Sequence, residues 1–350
     1  MGVVCQLVPL FALVSYLVRR LTFTVPHPRL KSPPFRNFKF PAVLIGNALG
    51  DQLVALPALR ALAHIFPSRL TLICMPGFRR KFFAELRLRS VCEVPMHIRT
   101  GRRRFDAAAV AKRVGKCDLF VSLNPWTSES LHRLVQLLSP ELSVGLRSPC
   151  QIGRIAKWKK HAFDLGFTVP SNLKPSLRLD AYVSPPRIPA QVSPRIREYL
   201  RAAAPRKKIL AIHNESKPQK VWPAERLRTL VEEFLDRHPD FAVFILDLEL
   251  RDLKIGKHAS RLLHSRGLPL HYAFAVLRES ELFLGVDSCM LHAADLCRVP
   301  GVGLFGKTDP RRWGFRFSRH RHIRDRRGLK HISEIKVLQA LESLIPAAGR

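Results

Sequence analysis

Short apolar runs alternate with helical patterns along most of the chain. Residues 42–45, 70–74 and 119–123 have the length and composition of buried strands, and residues 52–65 repeat leucine at helical spacing. The alternation continues at 142–145. Strands that alternate with helices form parallel sheets covered by helices, so this part of the chain is predicted to have an α/β fold.

The same pattern restarts after residue 208, which predicts a second doubly wound, Rossmann-like half. Residues 184–194 carry four prolines between the two halves, which excludes a helix or a central strand and predicts a linker. A ligand is expected in the cleft, at the carboxyl ends of the strands. The predicted organisation is an N-terminal extension at 1–38, an N-terminal domain at 39–185, a linker at 186–195, a C-terminal domain at 196–330 and a terminal helix at 331–350.

The chain is strongly basic. It has 59 Lys and Arg against 27 Asp and Glu, a formal net charge of +32, which attracts polyanions such as nucleic acid, an anionic lipid leaflet or a phosphate-rich substrate. A general basic bias in composition is the alternative explanation. No nucleic-acid-binding motif accompanies the charge, so a nucleic-acid partner is not expected.

The cysteines and the N-terminus indicate the cellular environment of the protein. The seven cysteines are odd in number and lack metal-ligand spacing, which predicts reduced thiols and no metal site. Residues 3–18 are mostly apolar and precede Arg19 and Arg20, which predicts an interfacial helix at an anionic membrane surface. A helix packed on the protein itself is the alternative.

Two segments at strand ends carry candidate chemistry. In residues 45–53, Gly46 and Gly50 allow a close backbone approach, and Asp51 is placed to take a proton from an attacking sugar hydroxyl. The alternative is that Asp51 only caps the following helix. In residues 213–223, Ser216 and Lys220 are suited to hold a diphosphate, although an ordinary solvated basic loop has the same composition.

A third segment follows the predicted strand 282–286. A helix begins directly after Asp287, so its first amide groups, from Ser288 onward, form a natural phosphate site. His292 lies one turn later, either facing the cleft or buried in the core.

Together these segments resemble glycosyltransferase family 9, the heptosyltransferases of lipopolysaccharide assembly. The resemblance rests on Gly50-Asp51 before a Leu-x-x-x-Pro-Ala-Leu-like helix, and on the Lys-x-Trp-Pro element that begins at Lys220. It also rests on Asp287-Ser288 with His292-Ala293-Ala294, and on the Phe-Gly-x-Thr-Asp-Pro sequence at 305–310.

The resemblance implies a GT-B architecture, two Rossmann-like domains facing across a cleft, and an inverting transfer that needs no cofactor or metal. It implies that Asp51 is the general base. It further implies a donor site made from Ser216, Lys220, Glu249, Asp287, Ser288, Cys289 and His292, and a terminal helix that packs back across the cleft. Family members often have Thr-Gly where this chain has Ser288-Cys289, so the bulk of Cys289 narrows the phosphate site.

The expected activity is transfer of heptose from ADP-heptose to a lipopolysaccharide core or a related anionic glycan. The expected location is cytoplasmic, at the inner face of the inner membrane. A protein acceptor, a nucleic-acid-binding role and a non-catalytic family member are the alternatives.

Overall fold

The computed structural model describes residues 37–346, apart from 47, 100–101, 148, 152–159, 248–252, 254 and 265–267. The strands are β1 (Pro41–Ile45), β2 (Thr71–Cys74), β3 (Ser90–Glu93), β4 (His97–Arg99), β5 (Arg102–Arg104), β6 (Leu119–Ser122), β7 (Leu142–Gly145), β8 (Lys208–His213), β9 (Phe241–Ile245), β10 (Leu262–His264), β11 (Leu282–Val286), β12 (Gly301–Phe305) and β13 (His320–Arg324). The helices are α1 (Leu49–Ile65), α2 (Phe78–Phe82), α3 (Ala107–Val114), α4 (Glu129–Leu138), α5 (Ala162–Leu173), α6 (Val192–Ala203), α7 (Ala224–Arg237), α8 (Leu270–Arg278), α9 (Cys289–Leu296), α10 (Pro310–Trp313) and α11 (Glu334–Glu342).

The N-terminal sheet has the strand order β3-β2-β1-β6-β7, with every neighbouring pair parallel. All five residues of β1 are buried, as expected for a parallel strand covered on both faces. This burial explains why the strand appears in the sequence as an unbroken apolar run. The order reverses at β1, so a crevice forms where β1 and β6 end.

The C-terminal sheet repeats this arrangement with six parallel strands in the order β10-β9-β8-β11-β12-β13. Its first strand in the chain, β8, lies between β9 and β11. The carboxyl ends of β8 and β11 therefore border the crevice of this half. The α/β class with two doubly wound sheets is confirmed.

The segment between the halves differs from the prediction. Helix α6 begins at Val192, inside the predicted linker, and includes Pro194 as its third residue. Proline is tolerated there because the first amide groups of a helix have no intrahelical partner. Burial of Val192, Ile196 and Leu200 stabilises the helix, so the exclusion of a helix was wrong for residues 192–194.

The terminal helix also differs. Helix α11 packs against α7 and against β12 and β13, and its Val337, Leu338 and Leu341 belong to the apolar core of the C-terminal half. The expectation that this helix crosses the cleft is therefore wrong for the described residues. Its apolar stripe is already buried beside its own sheet.

Close contacts join the two halves below the cleft. Helix α1 packs against α9, and a Cβ atom added at Gly50 would lie 3.3 Å from Cδ2 of His292. The rings of Phe82 and Phe274 lie 6.4 Å apart across the same junction. One apolar core thus extends through both halves and fixes the floor of the cleft.

The N-terminal extension lies almost wholly outside the described residues, and its interfacial helix stays a prediction. Among the helices that the structure describes, none is both long enough and apolar enough to span a bilayer.

Candidate active site

A cavity of about 520 Å³ opens between the two halves. Its N-terminal wall is the start of α1, at residues 48–51. Its opposite wall is formed by the loop after β8 and by the residues between β11 and α9. Thr308, just before α10, and Trp313, the last residue of α10, complete this wall. The lining residues on that wall are Glu215, Ser216, Lys217, Lys220, Asp287, Ser288, Cys289, His292, Thr308 and Trp313.

Asp51 reaches the cavity from the first turn of α1. The helix begins at Leu49 after the N-cap residue Ala48, so Asp51 is the third helical residue and not the N-cap. The capping alternative, as an N-cap residue, is therefore wrong. A carboxylate in the first turn is favoured by the helix dipole, and Asp51 is half-buried at the cavity wall.

The loop after β8 is closed by reciprocal hydrogen bonds. The side chain of Asn214 donates to the carbonyl of Trp222 at 2.7 Å and accepts from the amide of Trp222 at 2.9 Å. The indole Nε1 of Trp222 donates to the carbonyl of Ile332 at 3.1 Å. Because both ends of the loop are held, the residues between them have a defined position at the cavity.

Within this loop, two predicted donor ligands meet the end of β11. The hydroxyl of Ser216 donates to the carbonyl of Asp287 at 3.1 Å, and the ammonium of Lys220 forms an ion pair with the Asp287 carboxylate. The exposed fraction is 33% for the Lys220 side chain and 11% for that of Asp287. Asp287 therefore holds Lys220 at the cavity, where an incoming phosphate would compete for its charge.

The N-terminus of α9 faces the same cavity. Ser288 is its N-cap residue, but its side chain makes no capping hydrogen bond; the hydroxyl instead lies 3.0 Å from Nδ1 of His213. The first amide groups of α9 thus have no partner from that side chain and are suited to an anion. Burial raises the pKa of the Cys289 thiol to about 11, so Cys289 adds no negative charge there.

His292 combines both roles considered for it. It lines the cavity, yet its side chain is buried, and burial lowers its pKa to about 4. The neutral ring packs edge-on against Phe163, with 6.2 Å between centroids. Its Nδ1 is buried and has no hydrogen-bond partner in the described part of the chain.

Two predicted residues are not placed at the cavity. Gly46 is buried, and a Cβ atom there would lie 2.2 Å from Sδ of Met96, so a side chain rather than a ligand occupies the space beside it. Glu249 lies outside the described residues, and its place in the donor site stays a prediction.

Sequence reasoning missed part of the lining. Thr308 belongs to the Phe-Gly-x-Thr-Asp-Pro element but received no role, and Trp313 follows that element without a local signal. The stretch after Trp313 is anchored by Asp295, whose buried carboxylate accepts hydrogen bonds from the backbone amides of residues 316–318 at 2.8 to 2.9 Å. Only the folded chain reveals that anchor.

The family follows from comparison with known proteins. A model of glycosyltransferase family 9 (heptosyltransferase) matches residues 155–340, which is 186 of the 350 residues. The chain belongs to this family. The resemblance drawn from its motifs is confirmed, and the protein is a glycosyltransferase of the heptosyltransferase family. A search of curated protein sequences gave no match.

Solved structures show the same fold. A family 9 glycosyl transferase from Veillonella parvula is 18% identical with a TM-score of 0.70, over 87% of this chain and 98% of that one. The E. coli ADP-heptose LPS heptosyltransferase II is 13% identical with a TM-score of 0.64, over 87% and 98%. The E. coli heptosyltransferase WaaC, solved with ADP, is 16% identical with a TM-score of 0.62, over 87% and 100%. The likeness confirms a GT-B architecture for this chain.

Proposed function

We propose that this family 9 glycosyltransferase moves a heptose from ADP-heptose to an anionic glycan of the lipopolysaccharide core type, with inversion at the anomeric carbon. The observation that carries the proposal is the single cavity that Asp51 shares with Ser216, Lys220 and the start of α9. A base thus faces a diphosphate site across a space large enough for a nucleotide sugar.

The reaction is a direct displacement. Asp51 removes the proton from the acceptor hydroxyl, whose oxygen attacks the anomeric carbon as the bond to the diphosphate oxygen breaks. Lys220, the hydroxyl of Ser216 and the first amides of α9 stabilise the charge that develops on the departing nucleoside diphosphate. We propose further that this displacement needs no cofactor and no metal ion.

ADP-heptose is the donor we favour because structurally similar family members have been solved with related ligands. The E. coli WaaC structures contain ADP in one case and ADP-2-deoxy-2-fluoro heptose in another. Predicted donor-site residues Asp287, Ser288 and His292 lie together on one wall of the cavity, as a shared donor site requires.

An anionic acceptor and an anionic membrane surface fit the basic chain. The cavity lining holds three carboxylates, Asp51, Glu215 and Asp287, against two lysines, so the net charge of +32 resides elsewhere on the protein. We therefore propose that the surface outside the cavity attracts the acceptor and the cytoplasmic leaflet of the inner membrane. Equal flotation with neutral and anionic vesicles at low salt would contradict the membrane part.

The substitution Asp51→Asn tests the central role. It keeps the size of the side chain and removes the base, and a general base contributes about 10²- to 10⁴-fold to rate. We expect transfer to fall by that factor while ADP-heptose binding, measured calorimetrically, stays close to wild type. Asp240→Asn, at an exposed ion pair with Lys208 away from the cavity, is the matched control.

Three results would count against the proposal. A fully active Asp51→Asn enzyme would refute Asp51 as the base. A preference for GDP, UDP or CMP over ADP in a panel of nucleotides and their sugars would retain the transferase and replace the donor. Transfer to a co-expressed protein, but not to lipopolysaccharide cores, would replace the acceptor.

A further inference from the structure

A second cluster of polar side chains lies beside the cavity, at the carboxyl ends of β8 and β9. His213 is the last residue of β8, Glu215 follows two residues later, and Asp247 lies two residues beyond the end of β9. The two strands pair in parallel with Ile212 opposite Ile245, so their ends coincide. One ligand atom from each of the three side chains lies within 4.8 Å of the other two.

The orientation of His213 is set by one of its ring nitrogens. Its Nδ1 lies 3.0 Å from the hydroxyl of Ser288, which fixes the ring plane. Its Nε2 points toward Asp247 but lies 3.8 Å from the carboxylate Oδ1, beyond hydrogen-bonding distance. Histidine ligands of metals are commonly held this way, with one nitrogen bonded to a neighbouring polar group and the other facing the ion.

His213 and Asp247 are also well buried. Only 8% of His213 and 2% of Asp247 is exposed, and Nε2 of His213 lies 3.8 Å from Oδ1 of Asp247. The backbone amide of Asn214 donates to both carboxylate oxygens of Asp247, at 2.8 and 2.9 Å, and so fixes that group. In the tautomer with the proton on Nδ1, that nitrogen donates to the Ser288 hydroxyl and the lone pair of Nε2 faces the fixed carboxylate of Asp247, an arrangement that a cation between the two groups would stabilise.

The ligand set selects a class of cation. One imidazole nitrogen and two carboxylates suit divalent transition metals such as Zn²⁺ or Mn²⁺, whereas Mg²⁺ and Ca²⁺ favour oxygen ligands alone. Bonds of about 2.1 Å allow ligand atoms to be at most about 4.2 Å apart. The separation of 3.8 Å between Nε2 of His213 and Oδ1 of Asp247 is within this limit, and since all three ligand atoms lie within 4.8 Å of one another, the groups need to move by no more than about half an ångström to enclose an ion.

We propose that His213, Glu215 and Asp247 bind one divalent transition-metal ion. The site is joined to the cavity in two ways: Glu215 lines the cavity, and His213 contacts Ser288 at the start of α9. The ion is an accessory to the site rather than a participant in the displacement. It offsets the negative charge of the carboxylates on this wall and holds the carboxyl end of β8 against the start of α9.

Metal binding by the full chain tests the assignment without reference to activity. After treatment with a chelator, the protein is titrated with Zn²⁺, and bound metal is counted after gel filtration. We expect wild type to bind one equivalent more than His213→Gln and one more than Glu215→Gln. His258→Gln is the matched control, because His258 bonds Asp236 at 2.7 Å on the surface and should retain the wild-type count.

The two variants guard against a folding artefact, since glutamine at either position keeps a polar side chain and Glu215 lies in a loop. Titration with Co²⁺ adds a spectroscopic signature: visible d–d bands without a thiolate charge-transfer band are expected for nitrogen and oxygen ligands. The same metal count in wild type and both variants, or a thiolate band pointing to Cys289, would overturn the proposal. So would tight binding of Mg²⁺ at the expense of Zn²⁺.

Discussion

Replacement of Lys220 by alanine should weaken donor binding more than the loss of one hydrogen bond explains. Lys220 is ion-paired with Asp287, and both line the cavity. Removal of the ammonium takes away a phosphate ligand and also leaves the Asp287 carboxylate, 11% exposed, without its partner beside an anionic ligand. The two effects add.

The magnitude follows from these two effects. A hydrogen bond to a charged group contributes about 1.5 to 3 kcal/mol. Repulsion between Asp287 and a phosphate at roughly 6 Å, with an effective dielectric constant of about 20, adds at most about 3 kcal/mol. Because the cavity admits solvent, we expect a total of about 3 to 5 kcal/mol for Lys220→Ala, which weakens ADP binding by roughly 10²- to 5 × 10³-fold.

Calorimetric titration with ADP separates the two effects. We compare wild type, Lys220→Ala, Asp287→Asn and the double variant, in which the repulsion is absent. The double variant should bind ADP more tightly than Lys220→Ala, by about 1 to 3 kcal/mol. Lys257→Ala, which breaks an exposed ion pair with Asp236, should bind like wild type.

Either of two results would refute this reasoning. If Lys220→Ala binds ADP as well as wild type, Lys220 is not a phosphate ligand. If the double variant binds no more tightly than Lys220→Ala, the Asp287 carboxylate does not face the diphosphate.

Two further predictions concern stability. Asp295→Ala leaves the backbone amides of residues 316–318, one buried and two part-buried, without their acceptor and should lower the free energy of unfolding by at least about 2 kcal/mol in urea. Asp240→Ala, in an exposed ion pair with Lys208, should change it by less than about 0.5 kcal/mol. Burial lowers the pKa of His292 and of His322 to about 4, from 6.5, so the unfolded chain takes up these protons first as pH falls. The free energy of unfolding should therefore stay constant above pH 6.5 and decline between pH 6.5 and 4, by up to about 3 kcal/mol for His292. If the free energy of unfolding of His292→Asn declines with falling pH as steeply as that of wild type, burial of His292 is not the cause.

Local pattern predicted the central strands of both sheets and the strand ends that carry the candidate site residues, but it did not predict β3, β4, β5, β10 or β13. The apolar runs at 42–45, 208–213 and 282–286 became β1, β8 and β11, because strands buried on both faces need continuous apolar residues. Motif residues directly after these runs had to lie at the carboxyl edges of the sheets. Asp51 and Ser288 could therefore be assigned to the cleft from sequence.

The predictions that were wrong concern positions where packing overrides local pattern. Pro194 lies in a helix because Val192, Ile196 and Leu200 are buried behind it, and a proline count contains no information on that burial. Gly46 is not among the residues that line the cavity, and Met96, fifty residues away, occupies the space where a side chain at this position would lie; its role in ligand approach stays a prediction.

The sequence by itself determined the fold class, the family and the set of residues at the strand ends, since these depend on short-range periodicity and on motifs. Only the tertiary structure decided which of those residues meet. Lys220 pairs with Asp287, and His213 faces Asp247 while it contacts Ser288, across separations of 67, 34 and 75 positions. Such contacts depend on strand order and register within a sheet, which no local pattern encodes.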